Sequence, residues 1–297
     1  MPHTITRFRH AYPNVDALFN AFDFGHAALY EAELRHPLEL TRVVDTVLYQ
    51  KVTTRVLAHP SHVTLDEHAI APGYTTLAPE LVATFEWAHM LHRQLYDILA
   101  DPRMSDAERD VQVADEMRYY CARRDLALSR VPKSMTLMEG QPFSLTARKE
   151  APAYNALIWS YHWLQMAIYE VLLAAPMGTE RDALMHRSLA AFWAMGATRG
   201  QLPSVMPMSP AIAPRFTERY PEAAAVFDNL HALHDVTGDI LASPLVLQSD
   251  KRPALLKALT HYQDDVTAAT SRDEWKAMAR AMDATKMGGV VTPISSP

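Results

Sequence analysis

The sequence predicts an all-α fold: a helical bundle or α/α toroid built from four quasi-repeated helical hairpins. Three observations predict it. First, four segments align without a gap: Phe19–Glu31 (FNAFDFGHAALYE), Phe85–Asp97 (FEWAHMLHRQLYD), Ile158–Glu170 (IWSYHWLQMAIYE) and Phe227–Asp239 (FDNLHALHDVTGD). Each opens on a large apolar residue and closes on a carboxylate. Second, apolar residues recur at helical spacing, and the β-branched stretch Val52–Val56 fits that pattern as well as it fits a strand. Third, glycine is scarce at 9 residues, while the 20 prolines cluster between the periodic stretches, where they punctuate helices.

The elements follow in order. Core helices are predicted at about 14–35, 78–100, 153–175 and 221–242, each followed within a few residues by proline at Pro37, Pro102, Pro176 or Pro244. Partner helices are predicted at about 38–58, 105–129, 179–198 and 252–267, with a last helix near 271–284. Asn14, Ser105 and Thr179 suit N-caps, and Pro13, Pro152 and Pro221 suit helix entrances. The connections 59–77, 130–152 and 199–220 are long enough to cover a site or an interface. The first and last units share one more feature, Arg7–Pro13 (RFRHAYP) against Arg215–Pro221 (RFTERYP), which fixes the register of the alignment independently. One domain over residues 1–285 is expected, in four quasi-repeats of about 7–70, 71–143, 144–209 and 210–285, with 286–297 as a flexible tail.

Within each aligned segment the recurring positions are spaced 4, 3, 4, which puts them on one narrow stripe of a helix. The second position holds Asp23, His89, His162 and His231; the third holds His26, His92, Gln165 and His234; the fourth holds Tyr30, Tyr96, Tyr169 and Gly238. The stripe lies in the apolar face, so the histidines are expected together near the bundle axis. Parallel core helices would stack them in two rings, and antiparallel ones would stack the layers in mixed order. A step of three residues rises about 4.5 Å, close to the roughly 3.5–4 Å between two cooperating metals. Six converging imidazoles repel one another when protonated and need partners when neutral; a metal answers both demands.

A carboxylate precedes two of these histidines by three residues, giving Glu86-Trp-Ala-His89 and Asp228-Asn-Leu-His231. This spacing offers a carboxylate and an imidazole to one metal. It resembles the ExxH motif of ferritin-like di-iron carboxylate proteins, a resemblance confined to these few residues. The closing carboxylates Glu31, Asp97, Glu170 and Asp239 sit where the helix dipole disfavours them, which predicts ion pairs with arginines such as Arg35, Arg93, Arg123 or Arg124. Gln165 and Gly238 break the pattern: a weak ligand opens a coordination position, and a missing ring leaves space.

Composition narrows the function classes. A net charge of -6 without a basic run gives no electrostatic footprint for nucleic acid. The absence of a GxGxxG or P-loop pattern argues against dinucleotide and phosphate-cradling folds. The longest apolar run, 157–176, is interrupted by Tyr161, His162, Gln165, Tyr169 and Glu170, so no membrane span is expected. The polar start and the single cysteine, Cys121, predict a cytoplasmic protein.

The reading that follows is a metal-dependent oxidoreductase with a His-rich di-metal site, acting on a small molecule and using dioxygen. Asp23, His26, Glu86, His89, His92, His162, Gln165, Asp228, His231 and His234 are its candidate ligands or their orienting partners. Glu86, Tyr96 and Tyr169 are its candidate catalytic residues. The mixed donor set suits two iron ions first, then manganese, zinc or copper. A single-zinc hydrolase or transferase, a haem protein with paired histidine ligands and a metal-free scaffold are the alternatives. The sequence leaves the oligomeric state open.

Overall fold

The computed structural model describes residues 6–291. The protein is all-α, and its helices pack as a bundle. Among the described residues there is no strand, only an isolated bridge between Lys133 and Ala269. The core helices are α1 (Pro13–Arg35), α3 (Pro79–Ala100), α5 (Pro152–Ala174) and α7 (Pro221–Ala242). Packed on them in turn are α2 (40–56), α4 (Asp106–Ala122), α6 (Thr179–Ala197) and α8 (Gln248–Gln263), with α9 (Arg272–Ala281) last. Helix α2 is one continuous run in which Leu40–Arg42 and Tyr49–Lys51 alternate with π-helical Val43–Leu48 and Val52–Val56. Helices α5 and α7 are buried almost all round, as their apolar sequences require.

Every core helix begins at a proline, for one physical reason. Proline disfavours the α conformation in the residue before it, so a helix that reaches such a residue must break. Tyr12, Ala78, Ala151 and Tyr220 carry these breaks, with φ between -129° and -140° and ψ between 59° and 63°. On the far side of each break lies a short helix: Arg7–Ala11, Pro72–Leu77, Thr146–Glu150 or Pro214–Arg219. Pro79 makes the fourth of these entrances, one that sequence reasoning missed.

The carboxylates closing the four segments bind the starts of these short helices. Glu31 on α1 accepts from the amides of Gly73 and Tyr74, both at 2.9 Å, which open the helix leading into α3. Asp97 on α3 returns the contact, accepting from the amides of Arg7 and Phe8 ahead of α1. The second pair behaves alike. Glu170 on α5 accepts from the Arg215 amide at 2.9 Å, and Asp239 on α7 from the Leu145 and Ala147 amides at 2.8 and 2.9 Å. The C-terminal end of each helix thus meets the entrance of its partner, so α1 and α3 are antiparallel, as are α5 and α7. A toroid with four parallel core helices is ruled out by these contacts.

The expected arginine pairs are largely replaced by this arrangement. Only Glu31 meets one of the arginines named from sequence, Arg35; Glu170 meets Arg215 instead. Unsatisfied amides and the positive end of a helix attract a carboxylate without any arginine.

Ser105 caps α4 as expected, with a reciprocal capping box to Glu108. Asn14 and Thr179 lie just inside their helices, and Tyr12 and Gly178 occupy the cap positions. Replacing Ser105 with alanine should cost about 1 kcal/mol in a urea titration. An unchanged midpoint would show that this cap is energetically idle.

The segment expected to be a loose tail is docked as far as the structure describes it. Met287 is fully buried, and the Gly289 carbonyl accepts from the Trp163 indole at 2.7 Å. Gly288, at φ 107°, passes so close to Trp163 and Met195 that a β-carbon would lie 2.9 Å from each. Residues 292–297 of the predicted tail lie outside the described residues.

Candidate metal centre

Three histidines from three core helices converge: His26 of α1, His162 of α5 and His234 of α7. All are buried, and one ring nitrogen of each lies within 4.8 Å of the others. His26 Nδ1 stands 2.9 Å from the Phe22 carbonyl oxygen, one turn back on its own helix. That carbonyl can only accept, so Nδ1 carries the proton and Nε2 presents a lone pair. His26 Nε2 lies 3.2 Å from His162 Nε2. Two imidazoles bound tetrahedrally to one ion at about 2.0–2.1 Å would place their nitrogens about 3.3 Å apart.

The remaining stripe histidines surround this triad. The His231 ring stacks on His162 at 4.0 Å between centroids and 8° between planes, so it lies over that ring without aiming at the same point. The His92 ring stacks on Phe227 at 3.6 Å, and its Nδ1 meets the Tyr169 hydroxyl at 2.9 Å. His89, on the more open side, lies 3.7 Å from Asp23. Asp23 in turn pairs with Arg93 at 3.0 Å.

Burial dominates the electrostatics. It pushes the His26 imidazole down to about 4 and lowers the other five, leaving neutral rings with lone pairs available. Hydrogen bonds to other protein groups do not satisfy all of them. If His26 accepts at Nε2, His162 must donate there, and its Nδ1 has no protein partner. Neither ring nitrogen of His231 or His234 has one either, nor does His92 Nε2. A neutral imidazole always carries one N–H, so His231 and His234 each hold a donor that no protein group meets, a cost of about 1–3 kcal/mol wherever such a donor goes unmet.

The other predicted residues are placed as follows. Glu86 is exposed on the outer side of α3 and takes no part in the triad. Asp228 is buried but committed elsewhere: it accepts from Ser209 Oγ at 2.7 Å and from the Trp275 indole at 2.8 Å. The Glu86/His89 and Asp228/His231 spacings therefore do not deliver carboxylates to the histidines. Three residues along a helix turn a side chain about 60° away from its neighbour's direction, and here that angle leads out of the cluster. Gln165 contributes its backbone oxygen, which accepts from the Tyr96 hydroxyl at 2.6 Å. Tyr169 and Tyr30 likewise reach the carbonyls of His92 and His234, at 3.2 and 3.3 Å. These tyrosines tie the third stripe position of one helix to the fourth of another and hold the rings in register.

Sequence reasoning missed two acidic groups. Glu67, on the short helix Glu67–Ile70 in the covering connection 59–77, is pushed up to about 8 by burial beside Asp23 and Glu86. That connection is also held down by Asn20, whose amide donates to the Ser61 carbonyl at 2.6 Å. Glu33 of α1 is wholly buried. It could have been found by extending the stripe one step past Tyr30, where the other helices carry Leu99, Leu172 and Leu241.

A cleft of about 1020 Å³ lies away from the histidines between α4 and the start of α7, with Met117, Cys121 and Arg219 among its walls. No described helix is long and apolar enough to cross a membrane. Set against known protein families, curated proteins and solved structures, the chain has no match.

Proposed function

We propose that this protein is a metal-dependent oxidoreductase whose metal is held by His26, His162 and His234. The observation that carries the reading is the convergence of three buried, neutral imidazoles, one with its tautomer fixed by the Phe22 carbonyl. Such a backbone partner on the far ring nitrogen is the usual support of a ligating histidine. Three protein ligands leave further coordination positions for a reactant, whereas structural sites are closed. An ion so held supplies Lewis acidity and, if it is iron, manganese or copper, a change of oxidation state. Iron remains the first candidate, with dioxygen as a reactant and a small molecule as substrate.

The chain's own residues then have definite tasks. Phe22 orients His26, Tyr30 steadies the His234 backbone, and Phe85 packs edge-on against the His234 ring at 4.2 Å. Asp23, His89 and Arg93, only partly buried, form the more open approach to the centre. A two-ion form of the reading would draw its second site from His89, His92 and His231. Among the described residues there is a single group of converging ligand atoms, which favours one ion.

The four-hairpin architecture belongs to the same proposal. Its support is the recurrence of one proline break, one capping carboxylate and one stripe in all four core helices.

Metal analysis paired with an optical spectrum tests the functional reading. One iron per chain with an iron-dependent visible band is expected. Stoichiometric zinc with a silent spectrum would replace redox with hydrolytic chemistry, and protein without stoichiometric metal would overturn the centre itself.

A further inference from the structure

Beside the triad lies a small cavity walled by His26, His234, Tyr30, Glu33, Asn155 and Gly238. Its volume of about 10 Å³ is near the lower bound for holding one water. Gly238 creates it. This is the stripe position at which the other three core helices carry tyrosine, and a β-carbon here would stand 3.2 and 3.3 Å from the two Glu33 oxygens.

Besides the His234 ring, two polar groups on this wall have no protein partner. Neither carboxyl oxygen of Glu33 makes a hydrogen bond, although the residue is 0% exposed, and the Asn155 amide nitrogen is buried without an acceptor. The neighbouring polar groups cannot serve them. Asp235 is taken by the Trp159 indole at 2.9 Å, and Asp239 by two backbone amides. Lys251 spends its ammonium on the carbonyls of Ile240, Leu241 and Ser243 at the end of α7. A buried carboxyl without partners is costly, and two such groups facing one water-sized space are complementary to a small polar occupant.

We propose that this cavity binds one water-sized ligand of the metal centre, a water or a diatomic molecule such as dioxygen, held between Glu33 and the Asn155 amide. The proposal rests on the metal reading above. Asn155 donates to the ligand from one side, and the Glu33 carboxyl, kept protonated by its burial, donates from the other. Gly238 keeps the space open, so the departure from the repeated tyrosine becomes the feature that lets a reactant sit beside His26 and His234. Glu33 and Asn155 are positioning residues for that ligand.

The test uses ferrous-loaded protein titrated anaerobically with nitric oxide, followed by its optical and electron-paramagnetic signals. Wild type should bind one nitric oxide per iron. Glu33→Leu and Asn155→Leu should each weaken that binding about tenfold, the worth of one hydrogen bond, with iron content unchanged. Glu33→Gln keeps a donor and an acceptor and should stay within about threefold of wild type. Leucine variants that hold iron and bind nitric oxide as wild type does would overturn this proposal alone. Protein that takes up no iron would overturn the metal reading and this proposal with it. A crystal structure of the wild-type chain decides the matter even if the leucine variants do not fold. Ordered density bonded to both Glu33 and Asn155 is expected, and a dry cavity contradicts the proposal.

Discussion

Replacing His162 with alanine lowers metal affinity by more than about 100-fold, beyond what loss of an outer-shell partner costs, because it removes a ligand from the middle of the triad. His26→Ala and His234→Ala should act alike. His231→Ala removes a ring stacked on His162 but none of the three converging nitrogens, so it should leave metal content nearly intact. Dialysis against a graded chelator, followed by metal analysis, separates these outcomes. The contrast matters more than any single loss. Equal losses from His162 and His231 would indicate a diffuse imidazole cluster in place of a defined site. Metal-free wild-type protein should stay folded, since the apolar core runs through all four core helices. Wholesale unfolding by the chelator would make the metal structural instead.

The second large effect is on stability. Asp239→Ala strands the Leu145 and Ala147 amides at the entrance to α5, which at about 1–3 kcal/mol for each orphaned group amounts to about 2–6 kcal/mol. Asp97→Ala should cost a comparable amount at the entrance to α1. Urea titration of each variant gives the figure directly. A loss under about 0.5 kcal/mol would put these carboxylates among ordinary surface groups. The exposed pair between Arg118 and Asp115 is the control: breaking it should cost less than about 1 kcal/mol.

These two predictions rest on different degrees of legibility in the sequence. Core helices could be read because a stripe spaced 4, 3, 4 has one physical interpretation, and because proline marks where each helix must start. The short helices inside 59–77, 130–152 and 199–220 could not. Their apolar content is small, and they are held by carboxylates distant in sequence, such as Glu31 and Asp239. The π-helical turns of α2 are equally invisible, since Val43–Leu48 carries no residue pattern that separates π from α geometry. Met287 fills a space beside Trp163 and Met195 that exists only once α5 and α6 have packed, so the end of the chain read as loose.

The same distinction holds at the site. Burial of five of the six stripe histidines followed from the stripe, but which three converge depended on helix direction. Antiparallel pairing mixes second-position His162 with third-position His26 and His234, where parallel helices would have kept the two sets apart. The carboxylates failed for a related reason. Glu86 and Asp228 have the spacing of metal-binding motifs, yet the first faces outward and the second is claimed by Ser209 and Trp275, residues from other parts of the chain. Glu33 was within reach of the pattern, one step beyond the point where the four segments stop aligning.

The central claim is that His26, His162 and His234 hold one metal ion. Anomalous-scattering maps from a crystal of the metal-loaded protein, collected on both sides of the metal's absorption edge, test it most directly. One peak within bonding distance of His26 Nε2, His162 Nε2 and a ring nitrogen of His234 is the predicted result. Metal located elsewhere, with the three rings joined only by hydrogen bonds, would contradict it.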